Sequence, residues 1–169
     1  RLENTRNNRY HKMHPHELFS DYEESLFIDA NIQLRGNCLF AAADAMLGRD
    51  VFLAIPPHRR CRCLYDELEE CIRSHKDNAE VLEKHRIFLE EEGYPRQMGL
   101  TENNVIYRKH RDPRCIKVME DWWYMVENYS RRDQLSLFYV LWKNGEQMTY
   151  LLDFPIKSDK ANFRLFHHN

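Results

Sequence analysis

The 169-residue sequence has little glycine, with five in all. None lies in a G-x-G-x-x-G or Walker pattern, which excludes a Gly-rich phosphate cradle. A chain built this way must hold phosphate with a metal and basic side chains. No apolar run approaches the roughly 20 residues that a membrane helix needs. The start carries no secretory leader. It also lacks an initiating Met, which reads as a fragment or the ordered part of a longer chain. Charge of one sign is not in excess: 25 basic against 27 acidic residues leave a net charge of −2. That is no field for drawing in nucleic acid. Five cysteines, Cys38, Cys61, Cys63, Cys71 and Cys115, are an odd number. Without a leader, this points to free thiols in a reducing, cytoplasmic setting. The run from His58 through Cys61 and Cys63 to Cys71 lacks the spacing of a common zinc module. It reads instead as buried thiols beside a basic loop.

What is present is an ordinary globular balance, 43% hydrophobic and 31% charged, enough apolar content to offset the entropy of ordering. The length suits one domain spanning residues 1–169 with one core. The first twelve residues are polar and basic, and Pro15 breaks structure after them. Ser25 to Ile28 is a short apolar run that leads directly into Asp29-Ala30-Asn31. Such a run reads as a buried strand delivering a carboxylate to its C-terminal edge, where open α/β sheets bind ligands. Asn37 caps a helix from Cys38 to Leu47, and Asp50 to Ile55 is a second buried strand. Leu64 to Lys76 and Asn78 to Glu92 are amphipathic helices, the second stopped by Gly93. A third strand covers Asn104 to Arg108. Asp112-Pro113 starts a long helix ending near Asn128, Leu135 to Trp142 is helical, and Met148 to Leu152 is a last strand. Strands alternating with helices give the α/β class.

Several groups could carry chemistry. Asp29 and Asn31 are oxygen donors one residue apart on a turn past a strand, so both can reach one hard cation. A strand-end Asp is also a common turn cap. The cluster Ser130-Arg131-Arg132-Asp133-Gln134 reads in two ways. It is a capping box with Ser130 as cap, or a site where Asp133 meets hydroxyls or acts as a base beside an arginine. Glu102, Asn103 and Asn104 put a carboxylate and two amides on the approach to a strand, which suits a hydroxylated ligand. Arg9, Lys12, His58, Arg59 and Arg60 can pair with phosphate. His167 and His168 can complete the shell of a manganese-like ion. Of Trp122 and Trp123, at least one belongs to the core at helical spacing.

The segments NRYHKMHPHELF, DYEESLFIDANIQL, IPPHRRCRCLYDELEECI, EEGYPRQMGLTENNVIYRKH and IKVMEDWWYMVENYSRRDQLSLFYVLWK occur in an order that resembles a family of bacterial, viral and plant proteins. These have a glycosyltransferase-like domain long catalogued as of unknown function. The resemblance runs from about Arg9 to about Lys143. It implies a GT-A-like, Rossmann-related mixed sheet flanked by helices, distantly similar to the glycogenin-like enzymes of family eight. It further implies a metal-dependent hexosyltransferase using Mn2+ or Mg2+. The partners would be a nucleotide-diphosphate sugar donor and a carbohydrate or glycan acceptor, as in polysaccharide biosynthesis. Carried over by position, Asp29 and Asn31 are metal and diphosphate ligands, with His167 or His168 as a third protein ligand. Arg9 and Lys12 lie near the phosphates; Ala30, His58, Arg59, Arg131 and Arg132 are further candidates for substrate binding. Glu102, Asn103 and Asn104 line the sugar pocket, and Asp133 and Gln134 face donor sugar or acceptor. Asp133 or Glu102 is the base if the reaction inverts. Asn31 stands where the motif has Asp, which weakens metal affinity. The strands that read the base are expected before Arg1. Two other classes compete: a degenerate, non-catalytic binding module, and a metal-dependent phosphodiesterase or nucleotidyltransferase. The last needs more carboxylates converging on two metals.

Overall fold

The computed structural model describes residues 3–60 and 63–166. Cys61, His167 and His168 lie outside the described residues. In chain order the elements are α1 (Asn4–Met13), α2 (Pro15–Leu18), β1 (Ser25–Ile28), β2 (Ile32–Leu34), α3 (Cys38–Asp44), β3 (Leu53–Ile55), α4 (Leu64–Arg73) and α5 (Ala79–Glu91). They continue with β4 (Val105–Arg108), α6 (Pro113–Asn128), α7 (Leu137–Asn144), β5 (Thr149–Tyr150) and β6 (Phe163–Leu165), with single 3-10 turns at Asp133–Leu135 and Ile156–Ser158.

The main sheet has the order β1-β4-β3-β5. β4 runs antiparallel to both β1 and β3, and β5 runs parallel to β3. The class is α/β with a mixed sheet. β2 and β6 pair as a separate antiparallel ribbon. Side chains alternate across the sheet, as strand geometry requires. Leu53 and Ile55 of β3 and Ile106 of β4 join the core formed with α4 to α7. Ala54, Val105 and Tyr107 join a second core with Leu39 of α3 and Phe163 of β6.

Local chemistry explains the helix ends. Asn78 Oδ1 accepts hydrogen bonds from the amides of Glu80 (2.8 Å) and Val81 (3.3 Å), starting α5. Gly93 ends its last turn at φ 70°, a backbone that favours glycine. Asp112 accepts from the Arg114 amide at 2.9 Å, and Pro113 occupies the first turn of α6.

The ribbon β2–β6 is not foreseen by the sequence, and α3 ends at Asp44 rather than Leu47, with Asn37 at its N-cap making no side-chain hydrogen bond. Three further elements depart from what the sequence leads one to expect. Residues 4–13 form a helix although they carry no apolar stripe. Tertiary bonds hold it: the Arg6 guanidinium donates to the carbonyls of Val126 (3.0 Å) and Tyr129 (3.1 Å), and Arg108 donates to the Lys12 carbonyl. Pro15 does interrupt the chain, yet it also opens α2 at its first turn. β1 is half-buried at the sheet edge rather than central, and the fully buried strands are β3 and β4.

Candidate functional site

The directions of the strands bring the C-terminal ends of β1, β3 and β5 and the entrance of β4 to one sheet edge. Asp29 follows β1, and its amide donates to the Asn104 carbonyl at 2.8 Å, just before β4. The Glu102 amide donates to the Pro56 carbonyl at 3.0 Å, just after β3. Across this edge, α1 supplies Arg9 and Lys12, and the chain after α6 supplies Arg132, Asp133 and Gln134. Lys157 comes from the 3-10 turn after β5. Together with Asp29, Glu102, Asn103 and Asn104 these line one polar cleft of about 130 Å³. That is less than the roughly 300–1,000 Å³ of pockets that enclose a whole drug-sized ligand. The cleft has room for one part of such a ligand rather than the whole. A larger hollow of about 710 Å³ lies beside Pro57, His58, Arg59 and Tyr150. A third, lined by Arg35, Arg59, Lys157, Lys160 and Arg164, shares a residue with each of the other two.

The floor of the cleft is a buried ion pair. Lys12 is 1% exposed; its Nζ donates to Asp133 Oδ2 at 2.5 Å and to the Asn103 carbonyl. Arg9 Nε lies 3.3 Å from Asp133 Oδ1. Burial alone would raise the Asp133 carboxyl, but Lys12, Arg9 and Arg132 outweigh it and hold it below the usual carboxylate range. Burial lowers Lys12 below an ordinary lysine, opposed by Asp133 and Asp29. The Trp122 indole donates to the Asp133 carbonyl at 2.8 Å, so that tryptophan is core and also fixes the cleft wall. Asp133 is thus no capping-box residue. Ser130 instead donates to Asp77 Oδ2 at 2.7 Å and accepts from the Arg132 amide.

Other groups in the cleft are unsatisfied. Both carboxylate oxygens of Glu102 are buried without a hydrogen-bond partner, as are Asn103 Nδ2, Asn104 Oδ1 and Arg132 Nε. The nearest cation to Glu102 is Lys157, with Nζ 3.9 Å away. Asn103 Oδ1 accepts from the Thr101 hydroxyl at 2.6 Å, and Gln134 Nε2 donates to the Thr101 carbonyl at 2.7 Å.

The remaining sequence candidates lie elsewhere. Ala30 is exposed on the turn after β1 and does not line the cleft. Asn31 does not line it either: its Nδ2 donates to the Phe166 carbonyl at 3.1 Å, and its own carbonyl accepts from the Phe166 amide at 2.8 Å. Arg131 turns away to Glu3 and Asp77, each at 3.2 Å. His58 and Arg59 line the larger neighbouring hollow. His167 and His168 fall outside the described residues. The sequence reading missed Lys157, whose one signal is a basic residue two positions after Pro155. Among the described residues, no helix is long and apolar enough to cross a membrane.

No similar curated protein and no similar solved structure emerges from comparison with the chain. The profile of one family, described as TOD1/MUCI70, glycosyltransferase-like domain, matches residues 2–168. That span holds the whole polar cleft, and the chain belongs to the TOD1/MUCI70 family of glycosyltransferase-like domains.

Proposed function

We propose that this glycosyltransferase-like domain moves a sugar from a nucleotide-diphosphate donor to a hydroxyl of a glycan acceptor, with Mn2+ or Mg2+ at Asp29. The observation that carries the reading is the set of orphaned oxygens. Glu102 Oε1, Glu102 Oε2 and Asn104 Oδ1 are buried without a hydrogen-bond partner, and their residues line the cleft that Asp29 also lines. Burying such groups without partners is costly, and a bound cation or donor hydroxyls would satisfy them. An all-oxygen donor set is what a hard divalent ion takes. When bound, the ion supplies Lewis-acid neutralisation of the leaving diphosphate.

The chain's own residues do the rest. Arg132 and Lys157 add positive charge where the diphosphate departs. Asp133 holds Lys12 and Arg9 in place and is too firmly paired to serve as a base. Glu102, whose oxygens make no hydrogen bond and whose Oε1 lies 3.9 Å from Lys157 Nζ, would be the carboxylate that accepts the acceptor's proton if the anomeric carbon inverts. The larger hollow beside His58 and Arg59 receives the remainder of the donor. His167 or His168, as the family resemblance implies, is proposed as a further ligand.

Calorimetry of the full-length protein with UDP- and GDP-sugars, with and without manganese, tests this. Cation-dependent donor binding and slow donor hydrolysis are expected. Asp29→Ala should abolish the cation-dependent part, and Glu102→Gln should keep binding and lose turnover. Normal donor binding by Asp29→Ala, or no nucleotide-sugar binding at all, refutes the reading. Binding without turnover identifies a non-catalytic module.

A further inference from the structure

The corner between α1 and α2 carries a second set of ligand-type side chains, on α elements outside the polar cleft. His14 ends α1 and precedes α2, His16 and Glu17 lie in α2, and Glu120 comes from α6. One ligand atom each from His16, Glu17 and Glu120 lies within 4.8 Å of the others. His16 Nε2 is 2.7 Å from Glu120 Oε1. Glu17 Oε2 is held from behind by the Tyr10 hydroxyl, which donates at 3.0 Å.

His14 adds an independent observation. Its Nδ1 lies 2.8 Å from the Tyr10 carbonyl. A carbonyl only accepts, so Nδ1 donates to it and Nε2 is left as the nitrogen available to the cluster. Nε2 makes no hydrogen bond and lies 3.8 Å from Glu120 Oε1, on a side chain only 4% exposed. Tyr10 stacks on the ring at 3.9 Å, and Trp123 meets it edge-on at 5.5 Å, so the ring is fixed. An imidazole whose second nitrogen donates to a backbone carbonyl is also how metal-ligating histidines are oriented.

We infer that His14, His16, Glu17 and Glu120 bind a zinc-like transition ion. Two imidazoles and two carboxylates suit zinc, whereas the described groups that line the cleft offer mainly oxygen donors. The ion ties the α1–α2 corner to α6 and so steadies α1, which carries Arg9 and Lys12 into the cleft. It is a positioning site, independent of the donor-site cation.

The test uses tag-free, full-length protein stripped with a chelator. Zinc is titrated by calorimetry and cobalt by visible absorption. One ion per chain is expected at this corner, with the intense visible bands of a four-coordinate cobalt site. Glu120→Gln and His16→Asn, at partly exposed side chains, should each weaken zinc binding at least about tenfold. They should also remove the rise in Tm that zinc gives the wild type. Asp29→Ala and the His167→Ala/His168→Ala double variant should keep the ion, which separates this corner from the cleft and from the C-terminal histidines. No zinc binding, or zinc binding untouched by Glu120→Gln and His16→Asn, overturns the inference and leaves a hydrogen-bonded His–Glu pair.

Discussion

Replacing Lys12 by methionine leaves Asp133 buried with Arg9, 3.3 Å away, as its remaining close cation. Breaking a buried ion pair by removing one partner costs about 3–5 kcal/mol, because the other charge is stranded in low dielectric. Arg9 softens that loss, so Lys12→Met belongs at the lower end, about 3 kcal/mol. Asp133→Leu is worse. Its loss leaves Lys12, 1% exposed, with the neutral Asn103 carbonyl, the Phe27 ring 4.9 Å from Nζ, and Asp29 as a weaker counter-charge. This variant belongs at the upper end, about 5 kcal/mol. At about 2–4 °C per kcal/mol for a chain of this size, Tm should fall by roughly 6–12 °C and 10–20 °C respectively. The double variant removes both charges and replaces them with apolar volume. It should lose far less than the sum of roughly 8 kcal/mol, because well-packed apolar residues commonly replace a buried pair at little cost. Urea unfolding followed by tryptophan fluorescence gives the three values. Additive losses in the double variant would refute the coupling of Lys12 to Asp133, and with it the view that Asp133 is held as an ion-pair anchor.

Other perturbations probe the fold around the cleft. His85 is fully buried with neither ring nitrogen hydrogen-bonded, and burial pushes it from 6.5 down to about 4. The unfolded chain takes the proton near 6.5 while the folded one waits until about 4. Stability should therefore fall with pH across that window, by at most about 1.4 kcal/mol per unit. His85→Leu should flatten the fall in urea midpoints, and an unchanged slope would contradict this. Gly99 sits at φ +101°, and a Cβ there would come within 2.7 Å of Phe138 Cε1. Gly99→Ala should cost about 1–3 kcal/mol and disturb the loop that places Glu102; a wild-type melt with wild-type donor binding would tell against it. Burial pushes the thiols of Cys71 and Cys115 up to about 11 and about 12. As only the thiolate is reactive, both should resist alkylation at mildly alkaline pH until urea unfolds the chain. Mass spectrometry of the native protein reads this, and rapid native labelling would refute it.

Much of the frame is legible in the sequence because its signals are local. The caps Asn78 and Asp112 mark helix starts, Gly93 marks a stop, and the run Ser25 to Ile28 marks a strand that ends at Asp29. The cleft residues Glu102, Asn103 and Asn104 are legible for the same reason, since they precede a strand. What is not legible is tertiary. Helix α1 lacks an apolar stripe and exists through Arg6 and Arg108 bonds to distant carbonyls. Arg131 and Arg132 are neighbours in sequence, yet only Arg132 lines the cleft. Asp29 and Asn31 look like one motif. However, a tight turn, with the Ile32 amide donating to the Asp29 carbonyl at 2.9 Å, sends Asn31 toward Phe166 instead. The ladder of β2 with β6 joins segments too far apart for any local pattern to register.

Lys12 and Asp133 are separated by 121 positions in the chain. Ribosomes add about 5–20 residues per second, so Lys12 emerges roughly 6–24 s before its carboxylate partner exists. Lys157 comes later still. The polar cleft can close only when synthesis has passed both halves of the sheet edge.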